Sequence, residues 1–339
     1  MPSKKLVMYR AGATVASVLP GEAARGLARG LGEVLGGLPD FDGRRAVVAS
    51  HMARVLGRPL SRTEARRMVA EVFAYYGRYW AESLRLPSMP RWKVAAGVGT
   101  VGFDHVEDAL AAGKGAIIAA PHLGGWEWGA MWLVGIGLPV TVAVEPLDPP
   151  DLFEWFARFR ERLGMHVVPV GPGAAAAVLA ALKNNHIVCL LSDRLVGQAS
   201  GMEVCFFGER VMLPAGPVTL AIRSGAPLMA AAIYYGKAAS SHTIVFRPPI
   251  VLSPTAPFKE TVQSGTQAVA TELEQLIRQA PTQWHLLQPN WPSDPKLRRP
   301  WPLHEVASEP EQPSPAEGGR RPDGAKMRGA RMRVGPEWA

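Results

Sequence analysis

Between residues 61 and 84 apolar side chains recur at helical spacing, through Ala65, Met68, Val69, Val72, Phe73, Tyr76, Tyr79 and Trp80. Arg62, Arg66, Arg67, Glu71, Arg78 and Glu82 hold the opposite face, which predicts an amphipathic helix. Ser61 opens it with S-R-T-E, a capping box with Glu64. Shorter amphipathic stretches precede it at 22–37 and 44–57, and Pro87 and Pro90 close this helical part. From about residue 95 the pattern changes. Short β-branched runs predict strands at 116–120, 140–144, 166–170, 186–191, 227–235 and 243–246. Helical patterns lie between most of them, at 104–113, 126–137, 150–163, 174–183, 215–224 and 257–279. Such alternation predicts an α/β fold, a mostly parallel central sheet flanked by helices, with an N-terminal helical layer. Three parts follow: a helical part, 1–94, packed on the core; an α/β core, 95–300; and a tail, 301–339. The tail is rich in Pro, Gly, Ser and charge without periodicity, and disorder is expected there.

Composition narrows the classes. Two cysteines, Cys189 and Cys205, exclude a disulfide framework and a four-thiolate zinc site, so no structural metal is expected. The opening MPSKKLVMYR begins no apolar run with a cleavage site, and no secretory signal is expected. Residues 115–144 are apolar, but Pro121, His122, Gly124, Gly125, Glu127 and Pro139 interrupt any run of about twenty residues that could span a bilayer. A strand-loop-helix-strand fits that stretch better.

The net charge of +8 is unevenly placed: residues 1–100 hold 16 Lys and Arg against 7 Asp and Glu, and the rest of the chain is balanced. This suits an anionic partner, nucleic acid or acidic lipid, or else a solvated Arg-rich helical face. No helix-turn-helix, zinc-finger or RNP signature is present, so nucleic acid is not the expected partner. Residues 1–37, with Lys4, Lys5, Arg10, Arg25 and Arg29, are the candidate anchor to an anionic membrane surface.

The chemistry centres on AIIAAPHLGGWEWGAMWL, which places His122 at the mouth of a strand and Glu127 just inside the next helix. A carboxylate there is expected to reach back to the imidazole and fix its tautomer, leaving the other ring nitrogen as general base. A hydroxyl activated in this way attacks a carbonyl without a protein nucleophile. The spacing alone is weak, because eight histidines and 29 acids produce roughly 0.7 such pairs by chance, and His304 and Glu309 repeat it. The strand, the paired glycines and the helix distinguish His122, against the alternative of a structural histidine capping the helix.

PHLGGWEWG resembles the H-x-x-x-x-D/E motif of the glycerolipid and lysophospholipid acyltransferase superfamily, and the surrounding chain resembles its lipid A late-acyltransferase branch. The supporting pieces are EPLDPPDLFEWFARFRERLGM at 145–165, LLSDR at 190–194 and MEVCFFGERVMLPAGPVTLAIRSGAPL at 202–228. PTQWHLLQPNW at 281–291 is similar instead to the actinobacterial phosphatidylinositol mannoside acyltransferases, and the resemblance runs from about residue 8 to 295. It implies a glycerolipid acyltransferase-like fold. It also implies transfer of a long acyl chain, typically palmitoyl, from acyl-CoA to a mannose hydroxyl of a phosphatidylinositol mannoside at the cytoplasmic face of the cell membrane. Acyl-CoA is then a co-substrate and no cofactor is needed; the partners are acyl-CoA, a membrane glycolipid acceptor and the anionic membrane surface, and a monomer is expected.

By the same resemblance, His122 is the base with Glu127 as motif acid, and Glu203 is a downstream carboxylate assisting it. Arg160 and Glu209, with Arg158 and Arg194, fall to the acyl-CoA and substrate site. Glu127 departs from the mannoside branch, where Asp is commoner, so lipid A type and lysophospholipid acceptors stay open.

Read as residues alone, these candidates keep simpler alternatives. Arg158, Arg160 and Arg162 can pair with a phosphate, or form a surface cluster balanced by Asp151, Glu154 and Glu161. Glu203 and Glu209 bracket V-C-F-F-G and are either exposed hairpin ends or perturbed groups in a cleft. The tetrahedral oxyanion falls to backbone N–H groups in LPAGP or to Arg160. GQASG at 197–201 is no G-x-S-x-G elbow, so a serine esterase is disfavoured.

Overall fold

Ser61 caps the long N-terminal helix as its sequence predicts: its Oγ accepts the Glu64 N–H at 3.2 Å. The Glu64 carboxylate does not complete the box but pairs with Arg58 at 2.6 Å. In this computed structural model the described residues are 3–297, apart from 19–20, 39–42, 198–199, 237–240 and 254. They lie in one compact unit, Met1–Val306; the expected tail, 301–339, lies outside the described residues.

The helical part comprises α1 (Lys4–Val18), α2 (Gly21–Gly37), α3 (Arg44–Leu56), α4 (Arg62–Arg85) and the short α5 (Arg91–Ala96). The core then runs β1 (Val98–Val101), α6 (Asp104–Ala111), β2 (Ala116–Ala120), α7 (Trp126–Gly135), β3 (Val140–Val144), α8 (Pro150–Arg162), β4 (His166–Pro169), α9 (Ala174–Lys183) and β5 (Ile187–Leu191). It ends with β6 (Gly201–Phe206), β7 (Glu209–Pro214), α10 (Gly216–Ser224), β8 (Leu228–Tyr235), β9 (His242–Phe246) and α11 (Phe258–Gln279). Seven strands form one sheet in the order β1-β9-β8-β2-β5-β3-β4, parallel except at the β8–β9 pair.

The continuous apolar runs of β2 and β8 follow from burial on both faces. Ile117 and Ala119, with Leu228, Ala230 and Ala232, enter one core with α3, α4, α10 and α11. Their neighbours Ala116, Ile118, Met229, Ala231 and Ile233 enter a second core, with α6 and α7. A third cluster, Leu6, Tyr9, Leu152 and Phe156, fastens α1 to α8. α2 lies against α4 at backbone distance; a Cβ on Gly32 would fall 2.3 Å from the Phe73 carbonyl oxygen.

Alternation did not predict α1, α5, β1 or the antiparallel β6–β7 pair. KKLVMYRAGATVASV mixes small, apolar and basic residues with little facial separation, so its helix is legible only once Leu6 and Tyr9 are seen buried. The β6–β7 hairpin stands apart from the main sheet and rests on α11. There the Gln267 side chain donates to the Cys205 carbonyl and accepts its N–H, both at 2.8 Å, as a neighbouring strand would.

Candidate active site

The carboxyl ends of parallel strands form one rim of the sheet, the usual place for ligand sites in such folds. His122 follows β2 on this rim, Glu145 follows β3, and Asp193 follows β5. β2 and β5 are hydrogen-bonded neighbours in register from Ala116 with Ile187 to Ala120 with Leu191, which brings the two segments beyond them side by side. The turn after His122 needs Gly124: its φ is +62°, and a Cβ would meet the Ile233 carbonyl oxygen at 1.8 Å.

The carboxylate that holds His122 is Asp193. Its Oδ1 accepts from His122 Nδ1 at 2.6 Å, and its Oδ2 accepts the His122 backbone N–H at 2.9 Å and the Trp284 indole N–H at 2.8 Å. The Asp193 side chain is fully buried. Burial alone would push its carboxyl up, but the His122 charge and the hydrogen bonds from His122 and Trp284 outweigh it and hold Asp193 below the usual carboxylate range. An ionised Asp193 accepts and cannot donate, so Nδ1 carries the hydrogen and Nε2 is left as the basic nitrogen. The ring is one-fifth exposed and lies edge-on to Trp126.

Glu127 is therefore not the partner of His122, a correction to the expected contact. It is buried, and its Oε1 accepts from Tyr79 Oη and from Arg160, both at 2.9 Å. Trp126 intervenes, touching His122 with one ring edge and stacking on Tyr79 at 4.0 Å. Burial, then the Glu127 charge, raises the Tyr79 phenol well above its ordinary range, so it remains a donor. Among the described residues Glu127 Oε2 has no hydrogen-bond partner. His285 lies in the same ring cluster, and burial, then the His122 charge, pushes it down to about 3. It adds no second positive charge beside His122.

The other expected site residues separate. Glu203 sits exposed on β6 and pairs with Arg210 across the hairpin at 2.8 Å rather than with His122. The carboxylate beside His122 is Asp193 instead. Glu209 binds Arg54 at 2.6 Å and Ser293, fastening the hairpin to α3 and to the chain after α11. These hydrogen bonds hold its carboxyl below the usual range. Arg158 is exposed and pairs with Glu154 one turn back on α8. Arg160 points inward to Glu127, and Arg194 pairs with Glu145 at 2.8 Å on the strand rim.

The resemblance includes LLSDR but implies no role for Asp193 within it. The available signal was positional: VCLLSD carries an acid just beyond an apolar strand, as AIIAAPH carries its histidine.

The bacterial lipid A biosynthesis acyltransferase family matches residues 3–293. A phosphatidylinositol mannoside acyltransferase of Mycobacterium tuberculosis is 37% identical over 249 residues, covering 72% of this chain and 76% of that protein. The protein of the same name from Mycolicibacterium smegmatis is 35% identical over 247 residues, covering 72% and 78%. Among solved structures, the 1-acyl-sn-glycerophosphate acyltransferase of Thermotoga maritima aligns at 13% identity over 67% of this chain and 88% of that one, with a TM-score of 0.33.

Proposed function

Because the chain belongs to the bacterial lipid A biosynthesis acyltransferase family and is an acyltransferase, we propose that it moves palmitoyl from acyl-CoA to a mannose hydroxyl of a phosphatidylinositol mannoside, with His122 as general base. The observation that carries this reading is the His122–Asp193 contact, with Nδ1 clamped at 2.6 Å and the side chain one-fifth exposed. In the reaction, Nε2 takes the proton of the sugar hydroxyl as its oxygen attacks the thioester carbonyl. The tetrahedral intermediate collapses by expelling the CoA thiolate, which recovers the proton from the imidazolium. Asp193 stabilises that imidazolium without itself changing protonation. A thiolate leaves readily, so no strong general acid is required.

The acceptor is amphiphilic, and the reading includes peripheral binding at the cytoplasmic face of the membrane. Among the described residues no helix is long and apolar enough to cross a membrane. Val7, Met8 and Val15 on α1 and Leu27, Leu31, Val34 and Leu35 on α2 are exposed, a surface suited to shallow insertion. The expected charge is partly used up internally: Arg25 pairs with Glu22 and approaches buried Glu82, and Arg29 pairs with Glu33. Apolar contact therefore carries more of this binding than the basic count implies. The chain should float with anionic phospholipid vesicles at low salt, and Leu31→Ser with Leu35→Ser should reduce flotation; a chain that stays with the unbound fraction removes this part of the reading.

The acceptor is tested by incubating purified protein with palmitoyl-CoA and, separately, a mannosylated phosphoinositide, a lysophospholipid and a lipid A precursor, and following product mass. Acylation of the mannosylated lipid is expected. Acylation of only one of the other two overturns the acceptor, and activity with acyl carrier protein but not CoA overturns the donor.

A further inference from the structure

We infer that Trp284 is a positioning residue for the catalytic pair, acting through Asp193, with Asn290 of the same segment, Gln283–Asp294, supporting it; this rests on His122 being the base. The segment is stitched to both members. On the histidine side, His285 N–H donates to the His122 carbonyl at 2.7 Å, Gly124 N–H donates to the Gln283 carbonyl at 3.0 Å, and Leu123 forms an antiparallel bridge with Trp284. On the aspartate side, the Trp284 indole N–H donates to Oδ2 at 2.8 Å and the Asn290 amide donates to the Asp193 carbonyl at 2.9 Å.

The far end is locked. Asp294, its side chain fully buried, accepts from His51 at 2.9 Å, Arg54 at 2.6 Å, and the backbone N–H groups of Asn290 at 2.7 Å and Trp291 at 3.0 Å. The His51 Nδ1 meets the Leu286 carbonyl at 3.1 Å, within the same segment.

Packing does not require an indole nitrogen at position 284. The ring contacts of Trp284 are with His51, Phe206, Phe207 and Trp291, at centroid distances of 5.4, 6.4, 5.9 and 6.4 Å, and an all-carbon ring can make these. The nitrogen is aimed at a buried carboxylate, where a charged acceptor makes a strong hydrogen bond. It does two things there. It pins Oδ2, so that Oδ1 stays in line with Nδ1, and it draws charge from the carboxylate, moderating how strongly Asp193 favours the imidazolium.

The test compares Trp284→Phe with Trp291→Phe. Trp291 belongs to the same segment and has a buried indole, but its N–H donates to the Phe206 carbonyl at 3.2 Å. Trp284→Phe should lower kcat about tenfold with both KM values changed by less than about twofold, the effect of one charge-assisted hydrogen bond. The acid limb of its pH–rate profile should move up by about half a pH unit as Asp193 holds its charge more tightly against the imidazolium. Trp291→Phe should lower Tm and leave kcat and the limb in place. Following the His122 ring by NMR titration reads the same upward displacement without turnover. A wild type that acylates no acceptor, with that displacement still present in Trp284→Phe, retracts the proposed function and keeps this inference. Unchanged titration and kcat in Trp284→Phe, or an equal displacement in Trp291→Phe, overturns it. Should Trp284→Phe fail to fold, Asn290→Ala decides: lowered kcat at constant KM supports the positioning role, and wild-type kinetics refutes it.

Discussion

His122 Nδ1 and Asp193 Oδ1 lie 2.6 Å apart although 71 residues separate them in the chain. Two adjacent parallel strands of matched register end together, and His122 and Asp193, each two residues beyond its strand, meet there. Replacing Asp193 with Asn keeps the shape but allows the imidazole the wrong tautomer and removes support for its charged form. Asp193→Asn should reduce kcat by about a thousandfold with little change in KM. Steady-state kinetics on the folded variant checks this; a loss confined to KM contradicts the assignment.

The Glu127–Arg160 pair is buried, with side-chain exposures of 4% and 17%, so breaking one side strands the other. Arg160→Met should destabilise the chain by about 3–5 kcal/mol, and Glu127→Gln combined with Arg160→Met should recover much of that loss. Urea unfolding of the single and double variants measures it. Equal destabilisation in both would mean that lost packing, not a stranded carboxylate, sets the cost.

Acid should loosen the site and the segment beside it together. Asp193 and Asp294 are both held below the ordinary carboxylate range: burial opposes this in each, and hydrogen bonds with the charges of His122 and His51 outweigh it. A carboxyl whose folded value lies below its unfolded value of about 4 contributes stability that is complete above that pH and is lost as pH falls toward the folded value. Asp294→Asn should therefore be less stable than wild type by about 2 kcal/mol near neutral pH, and the gap should narrow at about pH 3. Urea midpoints at the two pH values report it; a gap that widens in acid contradicts the sign.

The fold was legible where periodicity is enforced by burial. β2 and β8 are covered on both faces and read as continuous apolar runs, α11 buries a single stripe, and α4 buries its apolar stripe together with the small-residue side that meets α2. α1 was not, because its role depends on Leu6 and Tyr9 meeting residues of α8 some 150 positions away. At the site, His122 was visible from its strand and glycines. Its partner was not, because a histidine and an acid five residues apart suggest a local contact, whereas sheet register supplies a distant one. Glu127 turned instead to Tyr79 and Arg160, which spacing could not disclose. Trp284 was hidden for the same reason: nothing within PTQWHLLQPNW says that its indole ends on Asp193.

In the proposed reaction the His122 imidazole removes the acceptor's proton. The most direct measurement is the rate of palmitoyl transfer from palmitoyl-CoA to a mannosylated phosphoinositide by His122→Ala, with folding verified by circular dichroism. A fall of about a thousandfold or more, with the spectrum unchanged, is the predicted result for loss of the general base. Transfer at the wild-type rate would contradict it.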